Sequence, residues 1–483
     1  MNKLTICKNL FEDWNSSGVV YCHWKGTANI EKGFTGASDM DIFVDPKDNE
    51  KAASFLEKNN FIRFYTQWGL RYPFIQDWLG LDEETGTMVH VHYHNRMIVG
   101  HTGVMEYRYP WENDVLATRV YDESAGIYVI NPEYELFTFY TRLGLEFPNK
   151  KLKRIGKGKY EFNEEAQSEL SYLSTIVDTP KLMELIRRYY AEDSDQFYTF
   201  LSSPKLEDGT LKRYSRLTKR HVPHDGIEIF NKLKSFFCKA CMMFYLPRQK
   251  SIFTKKIPYS KRGLTIAFVG QDGSGKSTVT RDIKKWLSWK IENRLYYMGV
   301  GEQYQPLEQK LQNRIKNNRT GFVVKLLRSW LPFKIMLKRS KDSVKYIGEA
   351  TKYSKRGGIA IYDRYPQNDV QGINDGPKIR SGLLPLVSNP VLRTVANWYA
   401  NREEKNVKKA TQTAPDLVIQ LVLSVDETLR RKPGENVEAV QKKHEIVKSL
   451  HYGSNKEYQI DASQPYDIEL TQIKKIIWDN IPR

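Results

Sequence analysis

The stretch Leu264-Thr-Ile-Ala-Phe-Val-Gly-Gln-Asp-Gly-Ser-Gly-Lys-Ser277 decides the fold of the second half of this 483-residue chain. Residues 264–269 form an apolar run, which is typical of a strand buried in a parallel sheet. The loop that follows has the spacing G-x-x-x-x-G-K-S, and the residues VTRDIKKWL at 279–287 have the spacing of a helix. The order of strand, glycine-rich loop and helix predicts a cradle for phosphate groups.

Each part of this P-loop has a physical task. Glycines in the loop let backbone N–H groups turn inward toward phosphate oxygens, and the helix adds its positive N-terminal end. Lys276 is expected to neutralise the β- and γ-phosphates of ATP, and the Ser277 hydroxyl is expected to hold Mg²⁺. The predicted nucleotide-binding residues are Gly270, Gln271, Asp272, Gly273, Ser274, Gly275, Lys276, Ser277 and Thr278.

A second segment places charged residues at the end of a predicted strand. The run Gly358-Ile-Ala-Ile-Tyr-Asp-Arg-Tyr-Pro366 is typical of a buried strand that ends at Asp363 and Arg364. In a doubly wound sheet the carboxyl ends of the strands face the ligand crevice, so both residues are expected beside the P-loop. There the carboxylate can serve Mg²⁺, and the guanidinium can clamp an acceptor phosphate.

A third predicted strand, residues 415–424, leads into a helix that carries Arg430 and Arg431. Mobile basic clusters of this kind close over transferring phosphates and exclude water. We therefore count both arginines as candidate catalytic residues, together with Lys276, Asp363 and Arg364.

With the segment 458–465, these blocks resemble the thymidylate kinase family over most of residues 263–483. Members of that family transfer the γ-phosphate of ATP to a nucleoside monophosphate. Asp363 and Arg364 match the family's Asp-Arg-Tyr motif. The resemblance implies ATP and Mg²⁺ as cofactors, a lid region that includes Arg430 and Arg431, and Ala462 in the loop on the adenine side.

The residues after the Asp-Arg-Tyr motif depart from the thymidylate kinase pattern. The family has a Ser and then an Ala-Tyr-Gln run that recognise thymidine monophosphate, whereas this chain has PQNDVQGINDGPKI at 366–379. Pro366 and Asp375-Gly376-Pro377 resemble instead the thymidylate-kinase-like proteins encoded with bacterial surface-polysaccharide genes. The expected donor is ATP, and the small-molecule phosphate acceptor stays open.

The first half combines a glycine turn with a pair of acids. Eleven residues separate Gly26-Thr27 from Asp39-Met40-Asp41, and apolar residues follow. Residues at i and i+2 of a strand point to the same side, so Asp39 and Asp41 can hold one Mg²⁺ ion. The glycine turn can hold the triphosphate of a nucleotide. This pattern fits the nucleotidyltransferase superfamily.

The row TMVHVHYH at 87–94 places His90, His92 and His94 on alternate positions. This period predicts a strand with all three imidazoles on one face. The His-Trp-Lys-Gly and Ser-Asp-x-Asp stretches resemble an uncharacterised nucleotidyltransferase-like group whose third catalytic strand often carries Asp-x-His. That resemblance aligns His90 with the acid and implies a metal site of Asp39, Asp41 and His90. Such a site is weakened for Mg²⁺, tuned to a metal such as Mn²⁺, or kept only for binding.

Positive charge is concentrated between the two halves. The net charge is +18, and residues 212–262 hold fourteen lysines and arginines against two acidic residues. The cationic and apolar segment 227–262 predicts either contact with an anionic membrane or packing between domains. The chain has no helix-turn-helix, RRM or zinc signature, so specific nucleic-acid binding is not expected.

The N-terminus lacks the apolar core of a signal peptide, and no run of about 18 apolar residues occurs. The four cysteines are too few and too scattered for a disulfide framework. These features predict a cytoplasmic protein, with membrane association as the alternative. A homodimer stays open.

The predicted class is α/β, in four segments: an α+β nucleotidyltransferase-like domain at 1–130, a helical extension at 131–211, a basic joint at 212–262 and a doubly wound P-loop kinase domain at 263–483. The predicted function is ATP- and Mg²⁺-dependent phosphorylation of a nucleoside monophosphate-like or other small acceptor. The nucleotidyltransferase-like domain would act on the product in surface-polysaccharide precursor metabolism. The alternatives are a regulatory protein that binds nucleotide without turnover and a defence enzyme that nucleotidylates a macromolecule.

Overall fold

The computed structural model divides the chain into two units, Met1–Thr254 and Lys255–Arg483. Asp272 of the predicted P-loop and residues 245–254 of the predicted membrane segment lie outside the described residues. Every helix within the described residues is too short or too polar to span a bilayer. The described residues are 2–66, 72, 74–101, 103–147, 149–244, 255–271, 273–299, 322–371, 375–431, 434 and 436–483.

The N-terminal unit is built on a mixed sheet with the strand order β3-β4-β5-β2-β1-β9-β8. β6 pairs with β7 and β10 with β11, apart from this sheet. The strands are β1 (Tyr21–His23), β2 (Asp39–Val44), β3 (Phe61–Thr66), β4 (Ile75–Asp82), β5 (Thr87–His94), β6 (Ile98–Val99), β7 (Tyr107–Arg108), β8 (Val120–Asp122), β9 (Ile127–Val129), β10 (Leu152–Gly156) and β11 (Lys159–Phe162).

The central strands β2 and β5 run parallel, with Asp39 opposite His90 and Asp41 opposite His92. The histidine row is therefore a strand, as predicted. Val89, Val91 and Tyr93 fill a core on one face of β5, and the three histidines alternate with them on the other face.

Helices surround this sheet and extend the unit beyond it. They are α1 (Thr5–Ser16), α2 (Ile30–Phe34), α3 (Asn49–Lys58), α4 (Glu112–Ala117), α5 (Pro132–Leu145), α6 (Glu164–Ile176), α7 (Thr179–Tyr190), α8 (Ser194–Ser202), α9 (Asp208–His221) and α10 (Glu228–Phe244). Residues of α1 and α3 share the core that β5 fills. A second core, rich in aromatic side chains, joins α5, α7, α8 and α9.

The segment predicted as a helical extension contains the hairpin β10–β11 as well as helices. The two strands of this hairpin pair antiparallel and are joined by a turn at Gly158, which has a φ of +69°. The segment predicted as a basic joint consists largely of α9 and α10, which belong to the N-terminal unit. On α10, the apolar side chains of Ile229, Phe230 and Leu233 are each more than half exposed. Contact of this segment with a membrane stays a prediction.

The C-terminal unit contains a five-stranded sheet with the order β14-β15-β13-β16-β17. All of its neighbouring strands run parallel. The strands of the unit are β12 (Lys256–Pro258), β13 (Leu264–Gly270), β14 (Asn293–Tyr297), β15 (Ile359–Asp363), β16 (Leu417–Val422) and β17 (Glu457–Asp461). Its helices are α11 (Lys276–Leu287), α12 (Phe322–Ser354), α13 (Pro390–Thr411), α14 (Val425–Arg431), α15 (Val437–Ser449) and α16 (Tyr466–Asp479).

Both faces of this sheet are covered, as a doubly wound fold requires. Ala360 and Tyr362 of β15 share a core with residues of α12 and α13, while Ile359 and Ile361 are equally buried and alternate with them. The strand order reverses at β13, so the carboxyl ends of β13 and β15 border the ligand crevice. The prediction of a parallel α/β domain with the P-loop between β13 and α11 is confirmed.

Close packing of α5 against α9 gives a first test of the fold. At Gly144 of α5, a methyl group would lie 2.3 Å from Oγ1 of the buried Thr218 of α9. We expect Gly144→Ala to lower the free energy of unfolding by about 1–3 kcal/mol, because the two helices have to move apart. Urea denaturation followed by circular dichroism measures this change.

Gly209→Ala is the matched control, since a methyl group there meets nothing within 4 Å. We expect this variant to be neutral or to gain up to about 1 kcal/mol. Equal stability of the two variants would contradict the packing of α5 on α9.

Candidate functional site

The P-loop begins at the end of β13 and depends on glycine at three positions. Gly270, Gly273 and Gly275 have φ angles of +142°, +93° and +85°, which side chains rarely adopt. A Cβ at Gly270 would also lie 2.2 Å from the carbonyl oxygen of Leu421 in β16. The loop therefore needs these glycines both for its turn and for its close approach to the sheet.

Side chains of the loop lie folded back onto its own backbone. Lys276, the first residue of α11, is buried, and its ammonium donates to the carbonyl oxygens of Gly270, at 2.9 Å, and Gln271. The Gln271 side chain accepts from the N–H of Leu423 at 3.0 Å, which ties the loop to the end of β16. Ser277 and Thr278 are exposed on the first turn of α11.

Asp363, the last residue of β15, is 3% exposed. Its Oδ2 lies 3.5 Å from Oγ1 of Thr280 in α11, whereas Oδ1 has no hydrogen-bond partner among the described residues. The buried hydroxyl of Ser274 in the P-loop likewise has no partner there. A buried oxygen without a partner costs about 1–3 kcal/mol. The Asp363 carboxylate is a hard oxygen ligand that suits Mg²⁺. The Ser274 hydroxyl can donate to a phosphate oxygen.

Arg364 follows Asp363 with a φ of +76°, in the left-handed region. Its Nη1 lies 3.8 Å from Asp375 Oδ1. Arg339 of α12 is buried and donates to the same carboxylate oxygen and to the carbonyl oxygen of Met298. The structure thus brings two guanidinium groups to one carboxylate. Arg339 lies within a long helix, and no sequence motif marks it as a functional residue.

Arg431 links three elements of the predicted nucleotide site: its own helix α14, the P-loop and the loop that contains Ala462. Its guanidinium donates to the carbonyl oxygen of Gly273 in the P-loop at 3.0 Å and to that of Ala462 at 3.3 Å. It also donates to Glu427 at 2.6 Å. Arg430 is largely exposed and pairs with the same Glu427. Arg431 therefore lies over the loop, and Arg430 faces the solvent.

In the N-terminal unit, the predicted metal set differs from the arrangement that the structure shows. His90 is buried, with Nδ1 2.9 Å from Asp39 Oδ1 and Nε2 3.0 Å from Asp77 Oδ1. The expected set was Asp39, Asp41 and His90. Each aspartate of β2 lies opposite its own histidine of β5, so His90 joins Asp39, and Asp41 joins the next histidines along the strand.

Asp41 Oδ1 lies 2.8 Å from His92 Nδ1, 3.5 Å from His94 Nε2 and 3.0 Å from the Lys25 ammonium. Burial alone would raise the pKa of Asp41, but Lys25 and hydrogen bonds from both histidines hold that pKa well below its usual range. Burial lowers the pKa of His94 to about 3.

The predicted glycine turn for a triphosphate already contacts a carboxylate. Gly26 has a φ of +74°, and the N–H of Thr27 donates to Oε1 of Glu135 in α5 at 2.9 Å. Burial raises the pKa of Glu135 to about 7, although hydrogen bonds from the turn oppose the shift. The turn therefore already binds a carboxyl group, but that group belongs to the protein.

A parallel sheet with a glycine-rich loop before α11, and a buried aspartate at the end of the neighbouring strand, defines the C-terminal unit as a P-loop α/β domain. No family model matches the chain.

Two relatives in Escherichia coli K12 align with part of the chain. The uncharacterized ATP-binding protein YghR is 27% identical over 224 residues, which cover 44% of this chain and 86% of YghR. The uncharacterized ATP-binding protein YghS is 26% identical over 230 residues, with coverage of 42% and 87%. A thymidylate kinase structure from Candida albicans is 17% identical, covers 45% of this chain and 92% of its own, and has a TM-score of 0.26. A TM-score at that level supports no inference.

Glu135 makes the stability of the N-terminal unit depend on pH. Its pKa is about 7 in the folded protein, against an ordinary 4.5, so the folded state binds this proton more tightly than the unfolded state. Unfolding free energy should therefore fall as pH rises from about 4.5 to about 7, by up to about 3 kcal/mol. Glu135→Gln cannot titrate and should lack this part of the dependence.

Urea denaturation of both proteins from about pH 4 to about pH 8 measures the difference between the two curves. Other titrating groups cancel in that difference. Curves that stay parallel through the window would show that the Glu135 carboxyl group titrates normally.

Proposed function

We propose that the C-terminal unit catalyses ATP- and Mg²⁺-dependent phosphoryl transfer to a small acceptor. The observation that carries this proposal is the buried Asp363, which has one oxygen without a hydrogen-bond partner among the described residues and ends the strand beside the P-loop of Lys276. A P-loop with a carboxylate at the neighbouring strand end suits a magnesium–nucleotide complex. The names of YghR and YghS, which describe ATP-binding proteins, agree with ATP as the donor.

When bound, ATP and Mg²⁺ would supply the phosphoryl group and neutralise its developing charge. Lys276 would exchange its loop carbonyl oxygens for phosphate oxygens and stabilise the charge on them. Ser277 and Asp363 would hold the ion. Arg431 would close over the phosphates from α14 and keep water away from them.

Arg364 and the buried Arg339 are proposed to bind the acceptor. Both guanidinium groups lie close to Asp375. The two arginines favour a phosphate group on the ligand, and the Asp375 carboxylate favours a hydroxyl group that can donate to it. We propose that the acceptor is a nucleoside monophosphate-like or other phosphorylated small molecule of surface-polysaccharide metabolism.

The N-terminal unit has two candidate roles. In the first, it is a nucleotidyltransferase-like domain that acts on the phosphorylated product. A specific observation favours the second, regulatory role: a histidine lies beside Asp39, where the nucleotidyltransferase pattern expects an acid. A nucleotide would then be bound without turnover.

Replacing Lys276 tests the phosphoryl-transfer proposal. We expect Lys276→Ala to lower ATP turnover by at least about 100-fold, because it removes a buried cation from the transferring phosphate. Release of ADP from labelled ATP, measured with a panel of nucleoside monophosphates and sugar phosphates, gives the rate. Lys284→Ala, on the exposed face of the same helix, should leave the rate unchanged. Full turnover in Lys276→Ala would refute the proposal.

The acceptor can be tested separately from the donor. Because the chain lacks the family's residues for thymidine monophosphate, we expect kcat/KM for that acceptor to be at least about 100-fold below the value of an authentic thymidylate kinase. Parallel assays of the two enzymes at saturating ATP measure the ratio. Similar values would mean that residues 366–379 bind thymidine in a different way.

A further inference from the structure

Three donor atoms converge on the face of the N-terminal sheet where Asp41 of β2 meets β5. Asp41 Oδ1 lies 2.8 Å from His92 Nδ1 and 3.5 Å from His94 Nε2, and the two ring nitrogens lie 3.2 Å apart. Within the described ranges, these three side chains form the group of histidine, cysteine or acidic residues whose ligand atoms lie close enough together to bind one ion. We infer that Asp41, His92 and His94 bind a divalent first-row transition metal ion.

The size of the triangle supports this inference. Ligand atoms about 2.1 Å from a metal, at the angles of tetrahedral or octahedral coordination, lie roughly 3.0–3.4 Å from one another. The three distances, 2.8, 3.2 and 3.5 Å, bracket that range. The ion would lie above one face of the triangle, and its remaining positions would be open to water or a ligand.

The ligand types select the class of metal. Two imidazole nitrogens and one carboxylate oxygen suit zinc, manganese, iron, cobalt or nickel, whereas Mg²⁺ prefers an all-oxygen set. Asp39 lies outside the triangle because it faces His90. The inferred site thus differs in composition and in metal class from an aspartate pair that holds Mg²⁺.

The neighbouring residues hold the three ligands in place, and the site is open to solvent on one side. The His94 ring is buried against the Trp24 ring at a centroid distance of 5.1 Å. The Asp41 and His92 side chains are 21% and 28% exposed, so an ion can reach them from solvent. Parallel pairing of β2 with β5 holds Asp41 opposite His92. The site is therefore largely formed before an ion arrives.

Lys25 is the competing cation. Its ammonium lies 3.0 Å from the same Asp41 oxygen and 4.4 Å from the centroid of the Trp24 ring. A metal ion and this ammonium repel each other at such a distance. Removal of the Lys25 charge should therefore strengthen metal binding, whereas a purely structural hydrogen-bonded cluster would bind no metal with or without Lys25.

The test uses the untagged full-length protein without nucleotide, titrated with Zn²⁺ in competition with a chromophoric chelator. Co²⁺ absorption provides a second, spectroscopic signal of histidine ligation. We expect one strong site, weakened about 100-fold or more in Asp41→Asn and in His92→Ala, and strengthened about tenfold in Lys25→Met. Mg²⁺ in large excess should not displace Zn²⁺.

Asp39→Asn is the matched control, since it makes the same chemical change two residues away on the same strand face. We expect its affinity to stay within about threefold of wild type, since it leaves all three ligands in place. Equal weakening in Asp39→Asn and Asp41→Asn would overturn the ligand set, and absence of Zn²⁺ binding in wild type and Lys25→Met would overturn the site itself. Failure here would leave phosphoryl transfer by the C-terminal unit untouched, because the Lys276→Ala assay measures a different unit.

Discussion

Parallel pairing of neighbouring strands is the constraint that positions both candidate sites. Parallel strands run side by side in one direction, so their register decides which residues meet, whatever their separation in sequence, and their carboxyl ends share one edge of the sheet. In the C-terminal unit, Phe268 pairs with Asp363, which brings the aspartate beside the P-loop. In the N-terminal unit, the pairing of Asp41 with His92 brings an acid of one strand to the histidines of another.

Buried carboxylates show how the surroundings change the chemistry of one type of group. Asp41 faces a lysine and two histidines and keeps its charge. Glu135 faces backbone N–H groups in a buried position, and burial raises its pKa to about 7. Asp363 retains an oxygen without a partner in the described part of the chain. These three acids therefore differ in the ligand they favour: a cation beside Asp363 and Asp41, and a proton on Glu135.

Features that depend on residues adjacent in the sequence could be predicted from it. The P-loop is set by glycine spacing within eight residues, and the strand at 87–94 follows from its alternation, because local sterics determine both. The pairing of acids with histidines depends instead on strand register, which no short stretch specifies. Glu135 meets Thr27 across 108 positions of sequence, and Arg339 reaches Asp375 from the middle of a helix. No spacing rule predicts either contact.

Arg364 lies in a left-handed backbone conformation at the edge of the crevice. For a side chain other than glycine this conformation costs roughly 1–2 kcal/mol, so glycine at this position would relieve the strain. A redesign guided only by thermal stability would select that replacement. It would relieve this strain but remove a guanidinium group from the crevice, so attempts to make this protein more robust should keep residue 364 fixed.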